Sequence, residues 1–129
     1  MMITLAGSMP PAQQICDQVR GLIASGELAA EDRLPSVRQL AKDLAVAPGT
    51  VAKAYRTLEA ERLVTARIGG GTRVSSAAAA TPRTVLNAAR DLATAGSEAG
   101  LNIDDAIRLL RAIWPKLPES DTENPSKNA

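Results

Sequence analysis

The sequence predicts a mainly α-helical chain with one small β-hairpin, and three observations lead there. Apolar residues recur at spacings of three and four through most of the 129 positions. Only residues 63–75 replace that period with short strand-like runs, split by Gly69, Gly70 and Gly71. Aromatics are nearly absent (Trp114, Tyr55 and no Phe), so any core must come from Leu, Val, Ile and Ala, a composition that suits helices.

Residues 1–10 read as a loose leader. A first helix is expected over 11–25, with Ile15, Val19, Leu22 and Ile23 on one face and Gly26 stopping it. The second starts at Ser36: Pro35 drives Leu34 out of helical geometry, and Ser36 followed by Gln39 has the spacing of a capping box. Its inner stripe is Val37, Leu40, Ala41 and Leu44. After a turn at Ala45 and Val46, Pro48 opens a third helix to about residue 62, because a first-turn proline lacks only an N–H that would be unpaired there. That helix buries Val51, Ala54, Tyr55 and Leu58. Strands are expected over 63–68 and 72–75, on either side of the glycines.

Beyond Ser76 the composition changes. Residues 77–80 form an alanine hinge, Pro82 opens a helix to about residue 95 with Val85, Leu86 and Leu92 on its apolar side, and Gly96 and Gly100 break the chain. Asn102 caps a last helix with Asp104 and Asp105 in its first turn and Arg108 and Arg111 further along. Ile103, Ile107, Leu110 and Trp114 recur there at spacings of four, three and four. Leu109 and Ile113 widen that stripe beyond what one neighbouring helix covers, which favours a second copy of the chain as its partner. Pro115 ends the helix. The domains read as 1–76, 77–117 (helical dimerisation region) and 118–129, a tail too polar to fold.

Charge narrows the function. Between Arg33 and Arg73 there are eight Lys or Arg against three acids, inside a chain whose overall net charge is +1. A basic island of this kind points to phosphate. Helix, tight turn, helix and glycine-tipped hairpin together make a winged helix-turn-helix, which places one helix in the DNA major groove. Arginines at 67 and 73 flank a tip whose missing Cβ atoms let backbone approach phosphate or a narrow minor groove. A nucleotide-binding glycine loop does not fit, since no helix follows the glycines and neither GxxxxGK[ST] nor GxGxxG is present. An enzyme is disfavoured: there is no histidine, no metal-ligand cluster, and no Ser or Cys with a base beside it. No cofactor or metal is expected. Cys16, the lone cysteine, reads as inert helix packing in a reducing cytoplasm. No run reaches 18 apolar residues, so neither a membrane span nor secretion is expected.

The run LPSVRQLAKDLAVAPGTVAKAYRTLEAERLV, followed by GGGTRV, resembles the DNA-binding domain of the GntR family of bacterial transcription regulators. The likeness spans about residues 9–75, and the short two-helix C-terminus resembles the YtrA-like branch, which dimerises through it. The resemblance implies a cytoplasmic, dimeric repressor of a palindromic operator near its own operon or transporter genes. It assigns DNA contacts to Arg38 and Ser36 at the second helix. On the third it assigns them to Pro48, Gly49, Thr50, Lys53 and Arg56, and on the wing to Gly69, Gly70, Gly71 and Thr72. Arg67 and Arg73 beside the tip are expected on phosphate or in the minor groove. The dimer interface falls on Val85, Leu86, Leu92, Ile103, Ile107, Leu109, Leu110, Ile113 and Trp114. Four positions depart from the family pattern: Ala12 where an aromatic is usual, Glu31 and Ala45 where glycine is usual, and Ala47 where Asn is frequent.

Two rivals remain at this point. A nonspecific architectural nucleic-acid protein would spread basic charge into its tails, whereas this tail is acidic. A winged helix that binds only proteins would not need the basic face. Double-stranded DNA and a second copy of the chain are therefore the expected partners. An effector is unassigned, and some 40 residues beyond the wing leave room for one between subunits rather than inside one.

Overall fold

The computed structural model describes residues 1–78 and 81–114. Its elements are α1 (Pro11–Ala24), α2 (Val37–Leu44), α3 (Pro48–Ala60), β1 (Val64–Arg67), β2 (Gly71–Val74), α4 (Arg83–Glu98) and α5 (Ile103–Ile113). They fall into two compact units, Met1–Pro82 and the chain from Arg83 onward. Mainly helical with one two-stranded antiparallel hairpin, this is the winged-helix class expected from the sequence.

In the first unit α3 packs against both α1 and α2. Ile15, Val19, Val51, Ala54 and Leu58 are fully enclosed, and Leu40, Ala41, Val64 and Val74 close the core around them. Tyr55 is buried as well, and its hydroxyl donates to the Pro35 carbonyl at 2.7 Å. Burial pushes the phenol well above its ordinary pKa, so it remains a neutral donor. Cys16 also lies in the core; its thiol donates to the Ala54 carbonyl at 3.4 Å, and burial raises its pKa, the opposite of an activated thiolate.

Several expectations are corrected. The leader is not loose: Ile3 is buried and Leu5 packs against the core. The Gln18 amide accepts from Thr4 N and donates to Thr4 O, while Gln14 Oε1 accepts from Ala6 N. These side-chain amides pair the leader's backbone much as a neighbouring strand would, which no apolar period can reveal. Ser36 caps α2 by accepting from Gln39 N, but Gln39 turns its side chain to Asp43, so only half of the box forms. Helix α3 stops at Ala60 because Arg62 takes a left-handed φ of 63°; the first strand is shorter than expected, leaving Leu63 and Ile68 outside it, and the second keeps its length but starts one residue earlier, at Gly71. In the second unit Gly96 lies inside α4, and the break comes only at Gly100, with φ 81°. Asn102 caps α5 in a complete box with Asp105, which also pairs with Arg108 at 2.6 Å. The expected stop at Pro115 and the tail 118–129 lie outside the described residues.

The turn between α2 and α3 is made by Ala45 in left-handed geometry (φ 55°, ψ 44°), and Glu31 sits at φ 71°. At both positions the resemblance implies a glycine. A Cβ costs roughly 1–2 kcal/mol in that region, part of which glycine gives back as unfolded-chain entropy. Ala45→Gly is therefore expected to stabilise the domain by roughly 1 kcal/mol, read as a higher midpoint in urea denaturation with an unchanged slope.

Across α1 and α3, Arg20 holds Glu61 by two hydrogen bonds (2.8 and 2.5 Å) and pairs with Asp17 at 2.7 Å. The bonds from Arg20 lower the Glu61 pKa, and those to Glu61 raise that of Arg20. A depressed carboxylate contributes stability above its unfolded pKa of about 4.3 and loses it as pH falls through the folded value. Both side chains are 37% exposed, so solvent limits the pair to less than about 1 kcal/mol. Glu61→Gln should lower the melting temperature slightly at pH 7, and the gap from wild type should close on acidification towards pH ~3.

Candidate nucleic-acid interface

The pleat of the hairpin sorts its side chains. Val64 pairs with Val74 and Ala66 with Thr72 on the face turned to the helices, while Thr65–Arg73 and Arg67–Gly71 alternate to the other face. Gly70 N donates to Arg67 O at 3.0 Å to close the tip, where Gly69 and Gly71 take φ of 76° and 72°. Those two glycines meet a conformational demand. Gly70 meets a steric one, since a Cβ there would come within 3.2 Å of Arg67 Cβ.

The wing has a further edge. Residues 31–34 run along β2: Glu31 N donates to Val74 O, Val74 N to Asp32 O, and Leu34 N to Thr72 O, all within 2.8–2.9 Å. Arg73 Nη1 adds a bond to Glu31 O at 3.2 Å, so part of this guanidinium holds the wing to the preceding chain. The start of α2 is thereby tied to the wing on one side and, through Tyr55 and Pro35, to α3 on the other. A shallow cleft of about 180 Å³, lined in part by Val37, Arg56, Val64 and Thr72, marks where the three elements meet.

On this frame Ser36, Arg38, Pro48, Gly49, Lys53, Arg56, Arg67, Gly69 and Gly71 are exposed, whereas Thr50, Gly70, Thr72 and Arg73 are partly buried. Thr72 is turned to the helices and its carbonyl is used by Leu34, which leaves it a smaller free surface than the sequence suggests. Lys53 borders a groove of about 350 Å³ between α1 and α3 that Ala12 leaves open, and Arg56 borders the wing-side cleft, so the two flank the outer face of α3. Ala47 makes no side-chain cap. Among the described residues the ion pairs are Arg20 with Asp17 and Glu61, and Arg108 with Asp105. Arg38, Lys53, Arg56 and Arg67 thus face solvent, and neither they nor the partly buried Arg73 has a carboxylate partner among the described residues. Sequence reasoning passed over two residues here: Arg33, whose guanidinium lies over Gly71, and Ile68, fully exposed at the tip. Strand pairing by residues 31–34 would have revealed Arg33, but they carry no alternating pattern.

In the second unit no residue of α5 is buried, and Ile103 (76% exposed) and Trp114 (68%) stand well out. Val85, Ile107, Leu109 and Ile113 are exposed too, whereas Leu86, Leu92 and Leu110 are partly covered. Between α4 and α5 runs an open, nearly all-apolar groove of about 450 Å³.

Comparison with known proteins agrees with this architecture. The family model described as "Bacterial regulatory proteins, gntR family" matches residues 11–74. The HTH-type transcriptional repressor YtrA of Bacillus subtilis is 40% identical over 74 residues, covering 57% of this chain and 57% of its own. This chain thus spans little more than half of that repressor's length. The HTH-type transcriptional regulator Rv1152 of Mycobacterium tuberculosis is 35% identical over 117 residues, 86% of this chain and 91% of its own. The structure of YtrA from Sulfolobus acidocaldarius, a GntR-family transcription factor, aligns with a TM-score of 0.53 at 29% identity, over 91% of this chain and 98% of that one. A winged helix with an exposed basic face, a family match across it and a relative aligned along nearly the whole chain lead to one conclusion: this protein belongs to the GntR family of bacterial transcription regulators.

Proposed function

We propose that the chain is a dimeric, sequence-specific repressor that binds a palindromic operator near its own operon or transporter genes. The observation that carries this reading is the run of cations along the start of α2, the outer face of α3 and the wing that have no carboxylate partner among the described residues. Residues 1–76 act as the DNA-binding domain. The start of α3, with Pro48 and Gly49 exposed and Thr50 partly so, approaches base edges with Lys53 and Arg56 beside it, and Ser36 and Arg38 contact DNA from α2. Gly69, Gly70, Gly71 and Thr72 bring the wing backbone close, with Arg67 and Arg73 on the flanking phosphates. Bound in this way, two copies would bar polymerase from the promoter.

Residues 77–117 act as the dimerisation region. Val85, Ile103, Ile107, Leu109, Ile113 and Trp114 are all exposed in a single chain, the kind of apolar surface that an obligate partner covers. The groove between α4 and α5 could hold a small apolar molecule by volume, but its open, continuous apolar lining suits a partner helix better. A second copy sets two recognition helices about 34 Å, or a multiple of it, apart along a two-fold site. No helix among the described residues is long and apolar enough to cross a membrane. Cytoplasmic residence fits a regulator that must reach the chromosome.

Fluorescence-anisotropy titration tests the reading, with the DNA upstream of the gene against an unrelated duplex of equal length at physiological salt. A preference of about a thousandfold or more for the upstream fragment is expected. Equal, weak binding to both would favour a nonspecific architectural role, and no binding even at low salt would favour a protein-interaction module. Arg38→Ala should weaken operator binding by about tenfold or more with no change in sedimentation mass. Trp114→Ala should lower the sedimentation mass first, and a wild-type mass for this variant would remove Trp114 from the interface.

A further inference from the structure

We propose that Arg33, which lies outside the helix-turn-helix and the hairpin, is a phosphate-contacting residue of the wing; this rests on the DNA-binding reading above. Residues 31–34 make the wing's third edge, and Arg33 bridges to Arg73 within that pairing. Residues opposed across an antiparallel pair share a face, and Arg67, opposite Gly71 on β1, shares it too. Arg33, Arg67 and Arg73 therefore stand together on the face turned away from the helices, while Leu34, Val64 and Val74 are buried. A one-residue slip of the 31–34 edge would expose Leu34, so burial locks this register.

The Arg33 side chain is placed but not satisfied. A Cβ at Gly71 would come within 3.1 Å of Arg33 Nε and Nη2, so the guanidinium rests directly on the wing backbone, and the left-handed Gly71 makes room for it. Among the described residues it has neither a hydrogen-bond acceptor nor a carboxylate partner, in contrast to Arg20 and Arg108. Like charges opposed across strands are unfavourable, and here two arginines face each other with a third one pair away. A polyanion relieves that repulsion, and a planar fork of free N–H donors matches a phosphate. Arg33 also lies between the two parts of the proposed interface: a short way along the chain from Ser36 and Arg38, and in contact with the wing tip. It joins them into one basic track along the phosphate backbone.

Salt-dependent anisotropy on the full chain, with the upstream fragment and an arbitrary duplex as probes, tests this. A phosphate contact contributes about 0.9 to the slope of log K against log salt. Arg33→Gln should lower that slope by about this amount and weaken both duplexes by the same factor, and Arg33→Lys should restore the slope. A Gln variant with the wild-type slope, beside an Arg38→Ala variant that loses affinity, overturns the assignment while leaving the DNA-binding reading standing. Weaker binding at an unchanged slope, not rescued by Lys, also overturns it, because Arg33 would then only prop Gly71. Melting curves of the Gln and Lys variants separate lost contact from lost fold; if only the Gln variant is unfolded, the slope of the Lys variant decides, and a value lowered by about 0.9 counts against the assignment. A wild-type chain that binds neither duplex defeats the parent reading, and this one with it.

Discussion

The architecture depends on one demand, that α3 be buried along one side and bare along the other. Val51, Ala54, Tyr55 and Leu58 occupy a single stripe and are enclosed by α1, α2 and β1, which fixes the roll of the helix about its own axis. Once the roll is fixed, Lys53 and Arg56 have no inward option. Tyr55 adds a directional element to an otherwise apolar contact: its hydroxyl on Pro35 pins the entry of α2, so that helix cannot slide along α3 without leaving a buried phenol unpaired. In a core without Phe, where Leu and Val fill space but specify orientation weakly, this one polar bond sets an angle that packing alone leaves soft.

The wing follows from a second economy. Two four-residue strands are marginal as an isolated hairpin in water. Here β2 is bonded on both edges, by β1 and by residues 31–34, and Val64 and Val74 anchor its base in the core. The tip projects from a two-stranded base braced along its outer edge by residues 31–34 rather than from a free ribbon. Of the three left-handed residues other than glycine in the first unit, Glu31 and Arg62 immediately precede the segments that pair in the wing, and Ala45 makes the turn between α2 and α3.

Much of this was legible in the sequence because it is periodic or punctuated. The stripes of α1 to α3 follow a helical period, Pro35, Pro48 and Asn102 mark starts, and the glycine triplet marks the hairpin. What could not be read depends on pairing between distant segments without alternation. The clasp of Thr4 and Ala6 by Gln18 and Gln14 and the edge formed by residues 31–34 are backbone matters, which no helical period records. Arg33 was hidden for that reason, whereas Arg67 and Arg73 were evident because they flank glycines. Gly96 misled in the other direction: it packs near Leu101 inside a helix, and nothing local distinguishes that role from a break.

The amide clasp at the N-terminus has a consequence for how the protein is made. Thr4 and Ala6 bind partners on α1 alone, at positions 18 and 14, so the clasp needs only the earliest part of the chain. During vectorial synthesis it can close as soon as α1 has left the ribosome, long before α3 and the wing exist. Contacts of such short sequence separation form fast. The stripe of Ile15, Val19 and Ile23 thus has a companion segment within reach before its other partners exist, which favours contacts within the nascent chain over contacts between chains.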